Sequence, residues 1–389
     1  MSLGRFRILA TLTLLAIAEA ASAAVLPEDR ADALYHYYDG GGVEISGPSL
    51  LVRKQVRDDI SIYGNYYVDS ITSASIDVQV LTAASEYEEE RTETSFGIDY
   101  LVGDAILSVG IGNSEENDYT ADTLNFGISQ DVFGGLTTVS MGYTRGSDVV
   151  GQNGTGNENF AEDIDRRKYR VGVSQILTKS LLMSLSYEAI TDEGFLNNPY
   201  RAYRHLDPAN PSVYLFKQEV YPRTRSSNAV ALRGRYHLPF RAAVHGGYRY
   251  FADTWDIQSH TIELGYTQPY RQAWMLDLGY RYYTQTQADF YADLFPFENS
   301  QNFLARDKEL STFVSHSFHV GVKYDFLEGG WSFLDKGSVN LFYNHILFDY
   351  DNFTDLSINY APGSEPAPGA EPLYSFSADV IQFFVSFWF

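Results

Sequence analysis

The chain has 389 residues, no Cys, 30 Tyr, 25 Phe and 31 Gly, and 28 basic against 50 acidic side chains for a formal net charge of −22. That balance excludes a basic-surface nucleic-acid binder. The lack of Cys excludes a disulfide scaffold, thiol chemistry, haem attachment through CxxCH and Cys-ligated iron–sulfur or zinc centres.

In chain order, the first element is a targeting segment. Arg5 and Arg7 precede an apolar stretch, Ile8 to Ala18, and the small residues Ala21-Ser22-Ala23. This is the layout of a secretory signal peptide with cleavage near Ala23, so residues 1–23 are expected to be removed and the mature chain to start at Ala24. Its loss removes two arginines and Glu19, which makes the net charge one unit more negative. Residues 24–47 follow as an N-terminal strand, ADALYHYYD turning at Gly40-Gly41-Gly42, or as an internal plug. Residues 48–389 read as one barrel.

The barrel reading rests on period two. Mean hydropathy is mildly polar, and no later apolar run approaches the ~20 residues of a spanning helix. In TETSFGIDYLV, Phe96, Ile98 and Tyr100 alternate with Ser95, Gly97 and Asp99; in DTLNFGISQDV, Leu124, Phe126 and Ile128 alternate with Asn125, Gly127 and Ser129. TTVSMGYTRG, KYRVGVSQIL, LLMSLSYEA, NAVALRGRYHL, RAAVHGGYRYF, HTIELGYT, AWMLDLGYRYY, TFVSHSFHVGVKY and VNLFYNHILF repeat the habit. Each is near the ~10 residues that cross a bilayer as a tilted strand, with Gly, Ser and charges on one face and apolar residues ending in aromatics on the other. Short connections near Gly103, Gly134, Lys179, Pro239 and Pro269 alternate with long polar ones at 73–90, 146–165, 191–226, 286–309 and 351–372. The expected fold is an all-β transmembrane antiparallel barrel of about 16 strands, or 14 if residues 24–45 form a plug, since such barrels have even strand numbers. The closing strand is IQFFVSFWF, whose Phe383, Val385, Phe387 and Phe389 share the lipid face with Ile381. Its terminal aromatic resembles the signal that barrel-assembly machinery reads.

The strings LPEDRADALYHYYDGGGVEISGPSLLVRK, NYYVDSITSASIDV, EERTETSFGIDY, RYYTQTQADFYADLF and NFLARDKELSTF resemble one bacterial outer-membrane β-barrel family of unknown function, across nearly all of the mature chain. The resemblance implies fold and location and brings no catalytic residue. It carries one further association, with periplasmic flavin-bearing or redox partners.

Charge on the polar faces supplies the candidate site. Arg233, Arg235, Arg249 and Arg281, with Lys168 and Arg170 earlier, point inward by parity, as do Asp277, Glu263 and Asp99. With a three-residue turn at Leu238-Pro239-Phe240, Arg233 would pair with His245. These residues either form a charged lumen wall that sets solute preference or a hydrogen-bonded network that fills the barrel. The segment 191–225 is basic and aromatic, and Arg201, Arg204, Lys217 and Arg223 suit a constriction folded into the barrel; an external loop closing on its neighbours would have the same composition. Acidic runs (Glu86, Glu88, Glu89, Glu90; Glu115, Glu116, Asp118; Glu158, Glu162, Asp163, Asp165) read as solvated external loops without ordered Ca²⁺-ligand spacing. His316 and His319 face opposite sides and cannot share a metal. An outer-membrane hydrolase would use an outward His260, His316 or His345, none of which has a serine partner at short range on its face.

The expected function is a passage for small polar solutes across the Gram-negative outer membrane. The alternative is a non-enzymatic docking barrel for a periplasmic partner such as a redox protein, with a hydrolase third. No cofactor, metal, catalytic residue or nucleic acid is expected; the expected partners are outer-membrane lipid and the assembly machinery.

Overall fold

A computed structural model describes residues 24–72, 88–152, 159–327 and 329–389. The predicted signal peptide, most of the 73–90 connection, Glu86 and Glu158 lie outside the described residues.

Sixteen strands close an antiparallel barrel. They are β1 (Arg30–Gly40), β2 (Val43–Arg57), β3 (Ile60–Thr72), β4 (Glu88–Val102), β5 (Ala105–Glu115), β6 (Tyr119–Val132), β7 (Thr137–Val150), β8 (Glu162–Thr178), β9 (Leu181–Gly194), β12 (Thr224–His237), β13 (Ala243–Asp253), β14 (Gln258–Tyr270), β15 (Trp274–Gln285), β16 (Phe313–Phe326), β17 (Lys336–Thr354) and β18 (Leu373–Trp388). A separate hairpin, β10 (Ala202–Asp207) and β11 (Asn210–Gln218), lies within the β9–β12 connection. β1 closes the ring, pairing with β2 through Leu34↔Ser49 and with β18 through Leu34↔Phe384.

Period two builds the two faces. On β12, Val230 and Leu232 stand 45% and 46% exposed on the outer face, while Arg233 and Arg235 alternate with them toward the interior. The outer belt continues through Leu124-bearing β6, Val171 on β8, Leu278 on β15 and Ile381 and Phe383 on β18. An outside of exposed apolar residues on a closed, even-numbered barrel is the surface of an outer-membrane barrel, because lipid replaces water there and no strand edge is left open. Polar rings on that surface find local partners. Outward His260 and His316 each bond a tyrosine hydroxyl, Tyr248 at 2.7 Å and Tyr280 at 2.8 Å, and His345 bonds Asp379 at 2.7 Å. Among the described residues no serine hydroxyl is bonded to a histidine.

The long β3–β4, β7–β8, β9–β12, β15–β16 and β17–β18 connections all leave one end, which also carries the short β1–β2, β5–β6 and β13–β14 turns. The opposite end carries the β2–β3, β4–β5, β6–β7, β8–β9, β12–β13 and β14–β15 turns and the β16–β17 connection; uniformly shorter connections mark the periplasmic side of such barrels. Several strands run 14 to 19 residues, longer than a bilayer crossing needs, and project past the membrane at the other end.

Three local expectations are corrected. The β12–β13 connection spans residues 238–242, with the Leu238 amide donating to the Ala242 carbonyl at 2.8 Å and Arg241 at φ 67°. This turn shifts the register by two: Arg235 faces His245, and Arg233 faces Gly247. Pro269 lies inside β14, paired with Met275, and the turn follows it. Glu88–Glu90, Glu115, Glu162, Asp163 and Asp165 are strand residues, on the projecting ends rather than in loops.

Candidate functional site

The interior has two unlike walls. On β1–β4 the polar groups are tightly mutual. His36 meets Asp69 at 2.6 Å and stacks on Tyr67 with ring centroids 5.0 Å apart. Arg53 pairs with Asp99 and lies 4.7 Å over the Tyr63 ring, while Ser108 donates to the same Asp99 at 2.6 Å. These side chains are nearly inaccessible. They stiffen the wall.

The wall from β8 to β15 is looser. Glu188 on β9 receives Lys168 at 3.0 Å and Arg170 at 2.9 Å, and Arg249 approaches it at 3.6 Å. Glu263 on β14 stands between Arg233 at 3.7 Å and Arg281 at 3.9 Å. Arg235 makes no ion pair among the described residues, and its cross-strand neighbour His245 lies flat over Gly265, where a Cβ would collide with the ring. Asp277 accepts from the Thr267 hydroxyl at 2.6 Å and lies 3.7 Å from His319. In the middle of this wall Lys168, Arg170, Arg233, Arg235, Arg249 and Arg281 face Glu188, Glu263 and Asp277, twice as many cations as carboxylates; toward the mouth Arg225 is paired with Asp253, and Asp192 is its register partner on β9. Arg233, Arg249 and Arg281 are 54%, 33% and 45% exposed and paired only at 3.7, 3.6 and 3.9 Å. Such pairs contribute about 0–1 kcal/mol, too little to fix the side chains, so their charge acts on whatever occupies the lumen.

Glycine shapes the space beside them. Gly127 and Gly142 are register partners on β6 and β7, and with no side chains there the wall recedes into a recess of about 360 Å³ edged by Tyr63, Ser108, Asn125, Lys168 and Arg170. β17 and β18 give a third lining. Their inner faces carry stacked rings, Phe342–Phe384 with centroids 5.5 Å apart and Phe348–Phe376 at 4.5 Å. This inner aromatic face accounts for the even positions of the closing strand, which alternation alone left without a role.

Above the lumen, the β9–β12, β13–β14 and β15–β16 connections fold into a cap. Two apolar cores join them, Tyr221 with Trp255, Phe290, Ala305 and Leu310, and Tyr203 with Phe295 and Leu304, while strand residues Tyr350, Phe353 and Tyr374 cluster at the top of the inner aromatic face. Backbone bonds stitch them, Leu206 N to Phe295 O at 3.0 Å and Phe295 N to Arg204 O at 2.9 Å. Val220 and Leu304 exchange reciprocal bonds of 3.0 and 2.9 Å.

A buried charge network ties the cores together. Arg204 is 0% exposed. Its guanidinium forks onto Glu371 at 2.7 and 3.1 Å, donates to Thr354 Oγ1 at 2.8 Å and pairs with Asp293. Arg306 meets Asp293 at 3.0 Å and lies 4.3 Å over the Phe353 ring. Burial pushes the Asp293 carboxyl up, but Arg306 and Arg204 beside it more than offset that and hold it below its ordinary value. Burial likewise acts on Glu371, and the Arg204 hydrogen bonds reverse the direction. Burial first and the Glu219 carboxylate second keep the Tyr221 hydroxyl protonated.

The cap bridges the mouth. The Tyr200 hydroxyl donates to Asp118 at the β5–β6 corner, and Arg204, four residues on, grips Glu371 and Thr354 between β17 and β18. Those corners lie far apart on a sixteen-strand ring, yet the backbone step between them covers at most about 14 Å. The connections therefore lean inward. Of the four residues expected to form a constriction, Arg204 is wholly buried and cannot line a water path. Arg201 pairs with Asp307 and Glu309, Lys217 with Glu298, and Arg223 with Glu162. They hold the cap together or tie it to the rim, as an external loop closing on its neighbours would. Glu188, the hub of the cationic wall, was missed in the sequence, although its inward parity with Ser184 and Ser186 was readable.

Solved structures similar to this chain include the siderophore receptor PirA from Pseudomonas aeruginosa, at 10% identity and TM-score 0.42 over 93% of this chain and 63% of that one. The chain thus matches less than two thirds of that receptor's length. A bacterial polysaccharide outer membrane secretin is similar at 8% identity and TM-score 0.49, over 94% of this chain and 100% of that one. OmpT, an outer membrane protein of Vibrio cholerae, is similar at 11% identity and TM-score 0.42, over 95% and 100%. No curated protein matches the sequence. The family model for a protein of unknown function, DUF3570, matches residues 77–334, well over half of the sequence, and the chain belongs to that family.

Proposed function

We propose that this protein is a passage for small polar solutes across the outer membrane of a Gram-negative bacterium, with a preference for anions, reached after cleavage of its leader near Ala23. One observation carries the reading: the middle of the β8–β15 wall sets twice as many cations as carboxylates on the interior, with Arg233, Arg249 and Arg281 in long and solvent-accessible pairs. A low-dielectric wall focuses that field on mobile ions, and rings of Arg and Lys favour anions in pores. The cap narrows the outer mouth and selects by size before the wall selects by charge. No role in the proposal falls to a catalytic residue.

A second reading has its own support. The periplasmic turns are short while the outer mouth is bridged, so the lumen is more approachable from within, as a barrel that receives a periplasmic partner would be. Planar-bilayer recordings of the full chain and of a variant lacking residues 198–223 separate the two. Conductance that rises on the deletion supports the passage; silence of both supports docking.

A further inference from the structure

On the outer surface of β7 and β8, Arg145 and Arg167 stand directly opposite one another. Both are exposed. Among the described residues they are the only Lys or Arg on the outward face of the extracellular half of the barrel, on a protein of net charge −22. Like charges directly opposed across two strands destabilise the pair. Asp165 touches Arg145 at 3.4 Å; Asp122 and Glu193 stand one register step further from the membrane on the same face and pair with neither arginine, and Arg167 makes no ion pair among the described residues. Arg167 therefore keeps its whole donor fork for a partner outside the fold.

The surroundings specify the missing partner. Immediately toward the membrane, Tyr143 and Tyr169 meet with ring centroids 5.1 Å apart, and Leu124 is the register neighbour of Arg145 on β6. Below them follow Met141 and Val171, part of the exposed apolar belt. Paired aromatics over an apolar belt mark the headgroup boundary, so the arginines sit where outer-leaflet headgroups lie. A ligand for this place needs an anionic group for two guanidinium forks and an apolar body for the belt beneath. Arginine forks match phosphate oxygens bidentately. We propose that Arg145 and Arg167 hold the phosphate of an outer-leaflet lipid against the outside of β7–β8. The inference rests on the membrane-facing surface and is independent of what passes through the lumen.

Native mass spectrometry of the intact, detergent-purified barrel titrated with diphosphorylated lipid A tests it. The wild type is expected to retain one lipid A, and dephosphorylated lipid A is expected to be retained at least tenfold less. R167Q, which breaks no ion pair of the fold, should lower retention of the phosphorylated lipid at least tenfold. R170Q, on the inner face of the same strand, should leave retention unchanged. Inorganic phosphate at the same phosphate concentration should not displace the lipid. Equal retention of both lipids by the wild type would overturn the proposal without recourse to any variant. So would undiminished retention in R167Q, an equal loss in R170Q, or displacement by free phosphate.

Discussion

Replacing Arg204 with Met should open the cap and leave the barrel intact. The guanidinium contributes the fork to Glu371 and the bonds to Thr354 and Asp293, at a site where the Glu371 side chain is 7% exposed. Removing one partner of a buried pair costs about 3–5 kcal/mol, because the other charge stays buried. Here Arg306 still serves Asp293 at 3.0 Å, so the loss falls on Glu371 and Thr354, and about 3 kcal/mol is the better figure. At 1.4 kcal/mol per decade that is roughly a hundredfold in the opening equilibrium. Amide hydrogen exchange reads it directly. The amides of Leu206, Val220, Phe295 and Leu304, which bond only across the cap, should exchange about a hundredfold faster in Arg204→Met, while the β4–β5 amides keep their rates. Unchanged cap amides would mean that the aromatic cores alone hold the cap. Equal acceleration in the barrel would mean that the cap is no separate unit.

Acid should loosen the same network: Asp293 and Glu371 are depressed in the folded cap, so their stabilisation is complete above their ordinary values of 3.8 and 4.5 and is lost as pH falls through the lower folded values, and pepsin should cut the cap increasingly below about pH 4. Val171→Arg, deep in the apolar belt, should cost about 2–4 kcal/mol in a folding titration, and Leu124→Arg, level with Arg145 at the headgroup boundary, about 0–1 kcal/mol, whereas Ser129→Arg, on the inner face of β6, should fold; equal tolerance of Arg at Val171 and Ser129 would reverse the assignment. Glu263→Gln should free Arg233 and Arg281 from their shared carboxylate and raise anion preference in a salt gradient, with the effect shrinking as salt rises. Phe387→Asp, which removes the edge contact with Phe326 at 5.9 Å and a lipid-facing aromatic, should reduce the heat-modifiable folded form in the outer membrane.

What the sequence made legible was local. Alternation such as Phe96, Ile98 and Tyr100 against Ser95, Gly97 and Asp99 fixes face and strand type, because the side-chain period of a strand is two. Register was less legible: the extra residues of the β12–β13 turn depend on Arg241 adopting φ 67°, which an arginine seldom signals. The cap was the least legible. The aromatic, basic character of 191–225 announced a folded loop, but the partners of Arg204 lie 89 and 167 residues away, and no local pattern reports such pairings. Glu188 was hidden differently. It sits in a run of Leu, Ser and Tyr, and its importance comes from Lys168, Arg170 and Arg249 converging from two other strands.

The reversal potential of the purified barrel in a planar bilayer under a salt gradient tests the account most directly. The account predicts conduction with anion preference, shifted toward cations when Arg233, Arg235 and Arg249 are changed together to Gln. Conduction with unchanged selectivity in that variant, or no conduction even after residues 198–223 are removed, would contradict it.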